Sequence, residues 1–99
     1  MRSEAAYQAK LIKKLQRIFP DGLIMKNNPD EIQGIPDLLV LVGDTWAMLE
    51  VKRSIDDPAR PNQPYYVEKL NNMSYAAFIY PENEEAVLDE LQSALGSRG

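Results

Sequence analysis

Two short, almost wholly apolar segments on either side of Gly43-Asp44 constrain the fold more than any other feature of this 99-residue sequence. The segments are residues 38–42 and 46–51. A Gly-Asp dipeptide between two such segments is typical of the tight turn of a β-hairpin. The sequence therefore predicts a pair of antiparallel strands.

A two-residue loop determines which residues of the two strands face each other. Val42 then pairs with Thr45, and counting back along both strands brings Asp37 opposite Glu50. Opposed residues project to the same face, and Lys52, two residues after Glu50, projects there too. The register predicts two carboxylates and an ammonium at the open end of the hairpin. A three-residue loop would move Asp37 out of this register unless a bulge restored it.

The predicted cluster of Asp37, Glu50 and Lys52 has the composition of a metal site for phosphate chemistry. Neighbouring carboxylates repel each other unless they share a proton or a cation. Mg²⁺ and Mn²⁺ prefer oxygen ligands, typically one or two carboxylates with water and a phosphate oxygen. A lysine beside them can orient an attacking water or neutralise charge on a phosphate. Gly34 and Pro36 predict a bend just before Asp37. These residues favour metal-assisted phosphodiester hydrolysis.

The same residues resemble the motif of a known nuclease superfamily. GIPD at residues 34–37, followed by EVK at residues 50–52, resembles the PD-(D/E)XK nucleases. With Gln63 downstream, the pattern is similar to the virus-type replication–repair nuclease branch (VRR-NUC), over residues 4–91. The resemblance implies a restriction-endonuclease-like core in the order α-β-β-β-α-β and metal-dependent DNA cleavage. It also implies similarity to Holliday-junction resolvases that act as homodimers.

Roles for the site residues follow from this chemistry and from the resemblance. Asp37 and Glu50 would ligate Mg²⁺, for which Mn²⁺ should substitute. The backbone carbonyl of Val51 would complete the ligand shell by analogy. Lys52 would position the attacking water. Gln63, at the inward-facing start of a predicted helix, would hydrogen-bond Lys52, the water or a phosphate.

An amphipathic helix is predicted over residues 3–18, with Ser3 as its N-cap. Glu4 lies on the apolar face of this helix and has two interpretations. The resemblance implies a further acidic ligand, acting through water, since many nucleases of this class use a first-helix Glu. The alternative is compensation of the helix N-terminus, worth a few tenths of a kcal/mol to about 1 kcal/mol. Lys10 and Lys14, on the opposite face, are candidate DNA contacts or solvated lysines.

Further DNA contacts are predicted in the loops that adjoin the site. A short strand at residues 23–26 leads into a polar loop that ends at Gly34, and a second loop follows Lys52. Cationic and amide side chains there suit phosphate contacts, although turn formation explains the asparagines equally well. The candidates are Lys26, Asn27, Asn28, Arg53 and Arg60.

The rest of the chain predicts two helices and one strand. A helix capped by Asn62 should run from Gln63 to about Met73. Residues 75–80 predict an apolar strand that is central or covered on both faces. Residues 82–95 predict a final helix. We expect a single α/β domain over residues 1–99, in the order α-β-β-β-α-β-α, with a mixed central sheet flanked by helices.

Composition excludes several classes of protein. The sequence has no cysteine and no histidine, which argues against disulfides, zinc sites and His-based triads. It contains neither an apolar run of membrane-spanning length nor the apolar core of a signal peptide. We therefore expect an intracellular protein, in the cytoplasm of a prokaryote or encoded by a phage in an infected cell, with no membrane partner.

Charge is unevenly distributed along the chain. The net charge is −4, which argues against a simple DNA-coating protein. Residues 1–20 carry five basic residues against one acidic residue, whereas residues 76–99 carry five acidic residues against one basic residue. This asymmetry favours DNA binding on the side of the first helix. Two ordinary solvated helix faces are the alternative.

The predicted function is structure-selective cleavage of branched DNA, in DNA repair or recombination. A chain this small has little surface for reading base sequence. A four-way junction needs two paired cuts, which favours a homodimer. Two alternatives remain. One is a nuclease of the same chemistry that acts on flaps, nicks or single strands, and the other is a non-catalytic DNA-binding subunit with this fold.

Overall fold

Within residues 3–95, the part of the chain that the computed structural model describes, three helices and four strands follow the order α-β-β-β-α-β-α. Their bounds are α1 Glu4–Ile18, β1 Leu23–Lys26, β2 Leu38–Val42, β3 Thr45–Val51, α2 Gln63–Met73, β4 Tyr75–Ile79 and α3 Glu84–Leu95. The predicted class is confirmed: a small α/β fold with a mixed sheet and flanking helices.

The hairpin of β2 and β3 has the two-residue loop on which the predicted register depends. Val42 pairs with Thr45, and Leu38 pairs with Leu49 at the other end of the ladder. Gly43 has a φ of 59°, a left-handed conformation that glycine adopts without a Cβ penalty. Continuing the same register by one residue brings Asp37 opposite Glu50, as the sequence predicts.

The sheet order is β1-β2-β3-β4. The first three strands are antiparallel, and β4 runs parallel to β3. A parallel pair needs a crossover connection, which α2 provides here. Strand β4 therefore lies at an edge of the sheet, so a central position for it is wrong. Coverage of both its faces is confirmed, because β4 contacts both α2 and α3 and because Ala76 and Ile79, which point to opposite faces, are both buried.

The two faces of the sheet are covered to different extents. The inner face packs against α1 and α3, and six of its strand residues are fully buried: Leu38, Val40, Ala47, Leu49, Val51 and Ile79. The outer face packs against α2, mainly over β3 and β4. Leu23 and Met25, which project to the outer face from β1, remain 62% and 48% exposed.

The helix starts agree only in part with the predictions. The Ser3 hydroxyl accepts a hydrogen bond from the Ala6 N–H at 3.0 Å, so the predicted cap of α1 is confirmed. Asn62 precedes α2, but its backbone is helical and its side chain makes no capping bond, so that predicted cap is wrong. The reason is the backbone conformation, since a capping residue needs non-helical φ and ψ angles. None of the helices in the described residues is long and apolar enough to cross a membrane.

Candidate active site

Asp37 comes directly before β2 and is held from two sides. Its carboxylate Oδ2 accepts a hydrogen bond from the Val51 N–H at 2.9 Å. Its backbone carbonyl accepts one from the Asn27 N–H at 2.8 Å. The chain reaches this position through Gly34, whose φ is +93°, and through the buried Pro36. The bend predicted from Gly34 and Pro36 is therefore present.

Glu50 lies on the outer face of β3 and is only 2% exposed. One of its oxygens, Oε2, accepts a hydrogen bond from Gln63 Nε2 at 2.9 Å. The other, Oε1, is buried and has no hydrogen-bond partner among the described residues. A buried carboxylate oxygen without a donor costs free energy unless a proton or a cation satisfies it. Glu50 is therefore the side chain in most need of a ligand.

Lys52 and Gln63 form a hydrogen-bonded chain that leads to Glu50. Lys52 is 6% exposed, and its Nζ donates to Gln63 Oε1 at 2.8 Å and to the Pro58 carbonyl at 3.3 Å. The Arg60 N–H donates to the same Gln63 oxygen at 2.8 Å. The Gln63 amide therefore accepts from Lys52 while it donates to Glu50, which fixes the position of both groups.

The two glutamates at the site have raised pKa values. Burial and then the neighbouring charge of Asp37 raise the pKa of Glu50 to about 8, against the opposing effect of Lys52. Burial and then Asp37 also raise the pKa of Glu4 above its ordinary value. Glu4 is thus close enough to Asp37 for their charges to interact, as its interpretation as a further acidic ligand requires. Its place in the first turn of α1 is compatible with the other interpretation as well.

A cleft of about 530 Å³ opens over these groups. Glu4, Asp37, Glu50, Lys52 and Gln63 lie on one side of it. The two loops predicted to adjoin the site form its other walls, which are residues 29–30, 33–35 and 60–62. The cleft is therefore built from the hairpin, the starts of α1 and α2, and both loops.

The donor set fits a hard divalent cation. Within residues 3–95 no group of three or more His, Cys, Asp or Glu is arranged to hold a metal ion, so the direct protein ligands would be the two carboxylates of Asp37 and Glu50. Two carboxylates, with water and a phosphate oxygen, suit Mg²⁺ or Mn²⁺. A cation there would satisfy Glu50 Oε1 and offset both the burial and the Asp37 charge that raise the pKa of Glu50. The role of the Val51 carbonyl stays a prediction.

The residues predicted to contact DNA differ in their accessibility and in their partners. Arg60 lines the cleft, and Lys10, Lys26, Asn28 and Arg53 are exposed. Lys14 pairs with Glu84 of α3, and the same carboxylate accepts a hydrogen bond from the Tyr7 hydroxyl. The Asn27 amide points inward, to the Pro36 carbonyl. Contact of these seven residues with DNA stays a prediction.

Two contacts of the site escaped the sequence analysis. The Pro58 carbonyl accepts a hydrogen bond from Lys52, and no sequence pattern marks that carbonyl. A Cβ added to Gly34 would lie 2.4 Å from the Asn62 Cβ, so glycine allows the first loop to lie against the start of α2. The second contact joins the loop before Asp37 to the helix that carries Gln63.

Comparison with known proteins identifies the fold. No protein-family model matches this chain, and no curated protein matches it. A solved structure described as "VRR_NUC domain protein" superimposes with a TM-score of 0.75 over 96% of this chain and 92% of its own chain, at 18% sequence identity. The chain therefore has the fold of a VRR-NUC domain, as the resemblance in residues 34–63 predicts.

Proposed function

We propose that this protein is a divalent-metal-dependent DNA endonuclease that cuts branched DNA as a homodimer. The observation that carries the proposal is Glu50, buried beside Asp37 with one oxygen lacking a donor and the other tied through Gln63 to Lys52. The similarity of the fold to a VRR_NUC domain protein supports nuclease chemistry. A non-catalytic DNA-binding subunit would gain nothing from the buried Glu50 carboxylate, whose ionisation opposes folding.

The residues of the cleft divide the reaction between them. Mg²⁺ would be held by Asp37 and Glu50 and would supply positive charge for the phosphate. Lys52 positions the water that attacks phosphorus, in line with the leaving oxygen. A new phosphorus–oxygen bond forms as the bond to the leaving oxygen breaks. Gln63 keeps Lys52 and Glu50 at fixed positions during this exchange, because its amide bonds to both.

Two arginines beside the cleft would contact a polyanionic substrate. Arg60 lines the cleft, and Arg53, which pairs with Asp57 of the same loop at 3.7 Å, is exposed. Both would bind phosphates on either side of the scissile bond. A chain with this little surface suits recognition of DNA shape. The same chemistry on flaps, nicks or single strands is the alternative, and a panel of labelled DNA structures separates them.

A partly exposed apolar surface supports a homodimer. We call it the apolar patch: six residues that project together from the outer face, as the strand register shows, namely Leu23, Met25, Leu39, Leu41, Trp46 and Met48. Leu23 and Met25 are exposed, and the other four are half-buried. It contains no cation that would suit DNA and no charge of either sign. A two-fold axis would pack the patch against itself, so both copies would bury it.

Sedimentation without DNA or metal tests this assembly. We expect the wild type to be dimeric and Leu23→Glu to be monomeric. Ile55→Glu is the matched control, because Ile55 is 61% exposed and lies outside the patch. A monomeric wild type, or a dimeric Leu23→Glu, contradicts the assigned surface.

Cleavage of a labelled four-way junction beside a matched linear duplex tests the chemistry. Reactions contain Mg²⁺, Mn²⁺ or EDTA, with wild type, Asp37→Asn, and Asp89→Asn as a control on the exposed side of α3. We expect metal-dependent paired cuts in the junction, lost in Asp37→Asn and kept in Asp89→Asn. Cleavage by Asp37→Asn refutes the metal-ligand assignment. Equal cleavage of both substrates removes the preference for junctions.

A further inference from the structure

Asn27 has a place in the structure that differs from that of a DNA contact. It follows β1 directly, in a loop where DNA contact and turn formation were equally expected roles for an asparagine. Its side chain is instead half-buried and turned toward the protein interior. The neighbouring Asn28 is exposed, and its Oδ1 accepts a hydrogen bond from the Asp30 N–H at 2.9 Å, as in an ordinary loop turn.

Asn27 donates hydrogen bonds to two successive backbone carbonyls, those of Pro36 and Asp37. Its side-chain Nδ2 donates to the Pro36 carbonyl at 2.9 Å, and its backbone N–H donates to the Asp37 carbonyl at 2.8 Å. The same Nδ2 lies 3.5 Å from the sulfur of Met48, on β3. One residue therefore clamps the Pro36-Asp37 segment against the sheet.

The clamp extends the ladder of β1 and β2. Lys26 pairs with Leu38, so the next position along both strands places Asn27 opposite Asp37. Proline has no N–H, so the backbone of Pro36 can form hydrogen bonds only through its carbonyl. Asp37 is then held by Asn27 through its main chain and by Val51 through its carboxylate.

We infer that Asn27 is a positioning residue for Asp37 and so for the divalent cation that Asp37 would bind. The inference rests on the proposed function, because positioning matters only where the Asp37 carboxylate has a ligand to hold. Groups that orient a metal ligand typically change metal affinity or turnover by about 10- to 100-fold when they are removed. Asparagine suits the position because the Pro36 carbonyl needs a donor, which Asp and Leu of similar shape lack.

Two variants test the clamp, with a neighbour as control. Asn27→Leu keeps the approximate shape and can pack on Met48, and Asn27→Ala removes the side chain. Asn28→Ala changes the exposed neighbour alone. Circular dichroism and thermal unfolding in EDTA confirm that each variant is folded.

The first readout is Mn²⁺ binding to the free protein, followed by electron paramagnetic resonance without DNA. We expect both Asn27 variants to bind Mn²⁺ about 10- to 100-fold more weakly than wild type, and Asn28→Ala to bind it normally. Unchanged Mn²⁺ affinity in both Asn27 variants overturns the inference. This readout remains available if the wild type proves not to cut DNA, so the two proposals fail separately.

The second readout separates positioning from DNA contact. A positioning role predicts that kcat falls by about 10- to 100-fold while DNA affinity, measured in EDTA, stays unchanged. A lost DNA contact would weaken DNA binding and leave kcat and Mn²⁺ affinity intact. That result would assign Asn27 to the DNA surface and overturn the clamp.

Discussion

Replacement of Glu50 by glutamine should stabilise the metal-free protein. The Glu50 carboxyl has an ordinary pKa of 4.5, and burial with the nearby Asp37 charge raises its pKa to about 8 in the folded state. Folding therefore favours the protonated form. Below about pH 4.5 the carboxyl is protonated in both states and costs nothing. As the pH rises from there to about 8, the folded state loses stability relative to the unfolded state.

Linkage between these two pKa values gives the expected size. The free-energy cost is about 3 kcal/mol at pH 7 and about 1 kcal/mol at pH 5. Glu50→Gln removes the charge and keeps an oxygen that can accept from Gln63. We therefore expect the variant to gain about 3 kcal/mol of unfolding free energy over wild type at pH 7, and much less at pH 5.

Urea unfolding in EDTA at pH 5, 7 and 8 measures the effect, with Glu85→Gln as an exposed control. Mg²⁺ should raise the stability of the wild type, because it binds only the folded site, and should raise that of Glu50→Gln far less. A Glu50→Gln protein no more stable than wild type at pH 7 would refute the electrostatic argument. A gain that does not change between pH 5 and pH 8 would refute it too.

Two further substitutions test how the site is held. Gly34→Ala should cost about 1–3 kcal/mol of stability and reduce cleavage, because an added Cβ would lie 2.4 Å from the Asn62 Cβ at a φ of +93°. Gly43→Ala, at a φ of 59° with open space around it, should cost less and leave cleavage intact. Chemical unfolding measures both losses, and equal losses would contradict the argument. Gln63→Glu keeps an acceptor for Lys52 but removes the hydrogen-bond donor to Glu50. The kcat for cleavage should therefore fall by about 10- to 100-fold. An unchanged kcat would show that the amide donor is dispensable.

Local sequence was sufficient to predict the hairpin, and it predicted the carboxylate pair on the condition of a two-residue loop. The structure has that loop, and the resulting register places Asp37 and Glu50 together. The amphipathic pattern of α1 predicted its cap at Ser3 for the same reason, since capping and periodicity depend on residues within one or two turns. These features involve short sequence separations and well-defined local geometry.

Contacts between distant segments could not be predicted in the same way. The apolar sequence of β4 allowed a central strand or one covered on both faces, and only the assembled sheet and helices show that it is a covered edge strand. Asn62 has the residue type of a helix cap, but its backbone is helical and its side chain makes no capping bond. The Asn27 side chain donates to a proline carbonyl nine residues away. No short window of sequence contains this information.

The two halves of the site are separated along the chain in a way that bears on how the protein folds. The β2–β3 hairpin contains Asp37 and Glu50 and closes through a two-residue loop, so it can form within microseconds from local contacts. Gln63 reaches Glu50 only when α2 docks on the outer face, and β4 must pair with β3 for that crossover to close. Until then water surrounds the Glu50 carboxylate. The unfavourable ionisation of this site therefore opposes the docking of α2 and leaves the hairpin unaffected.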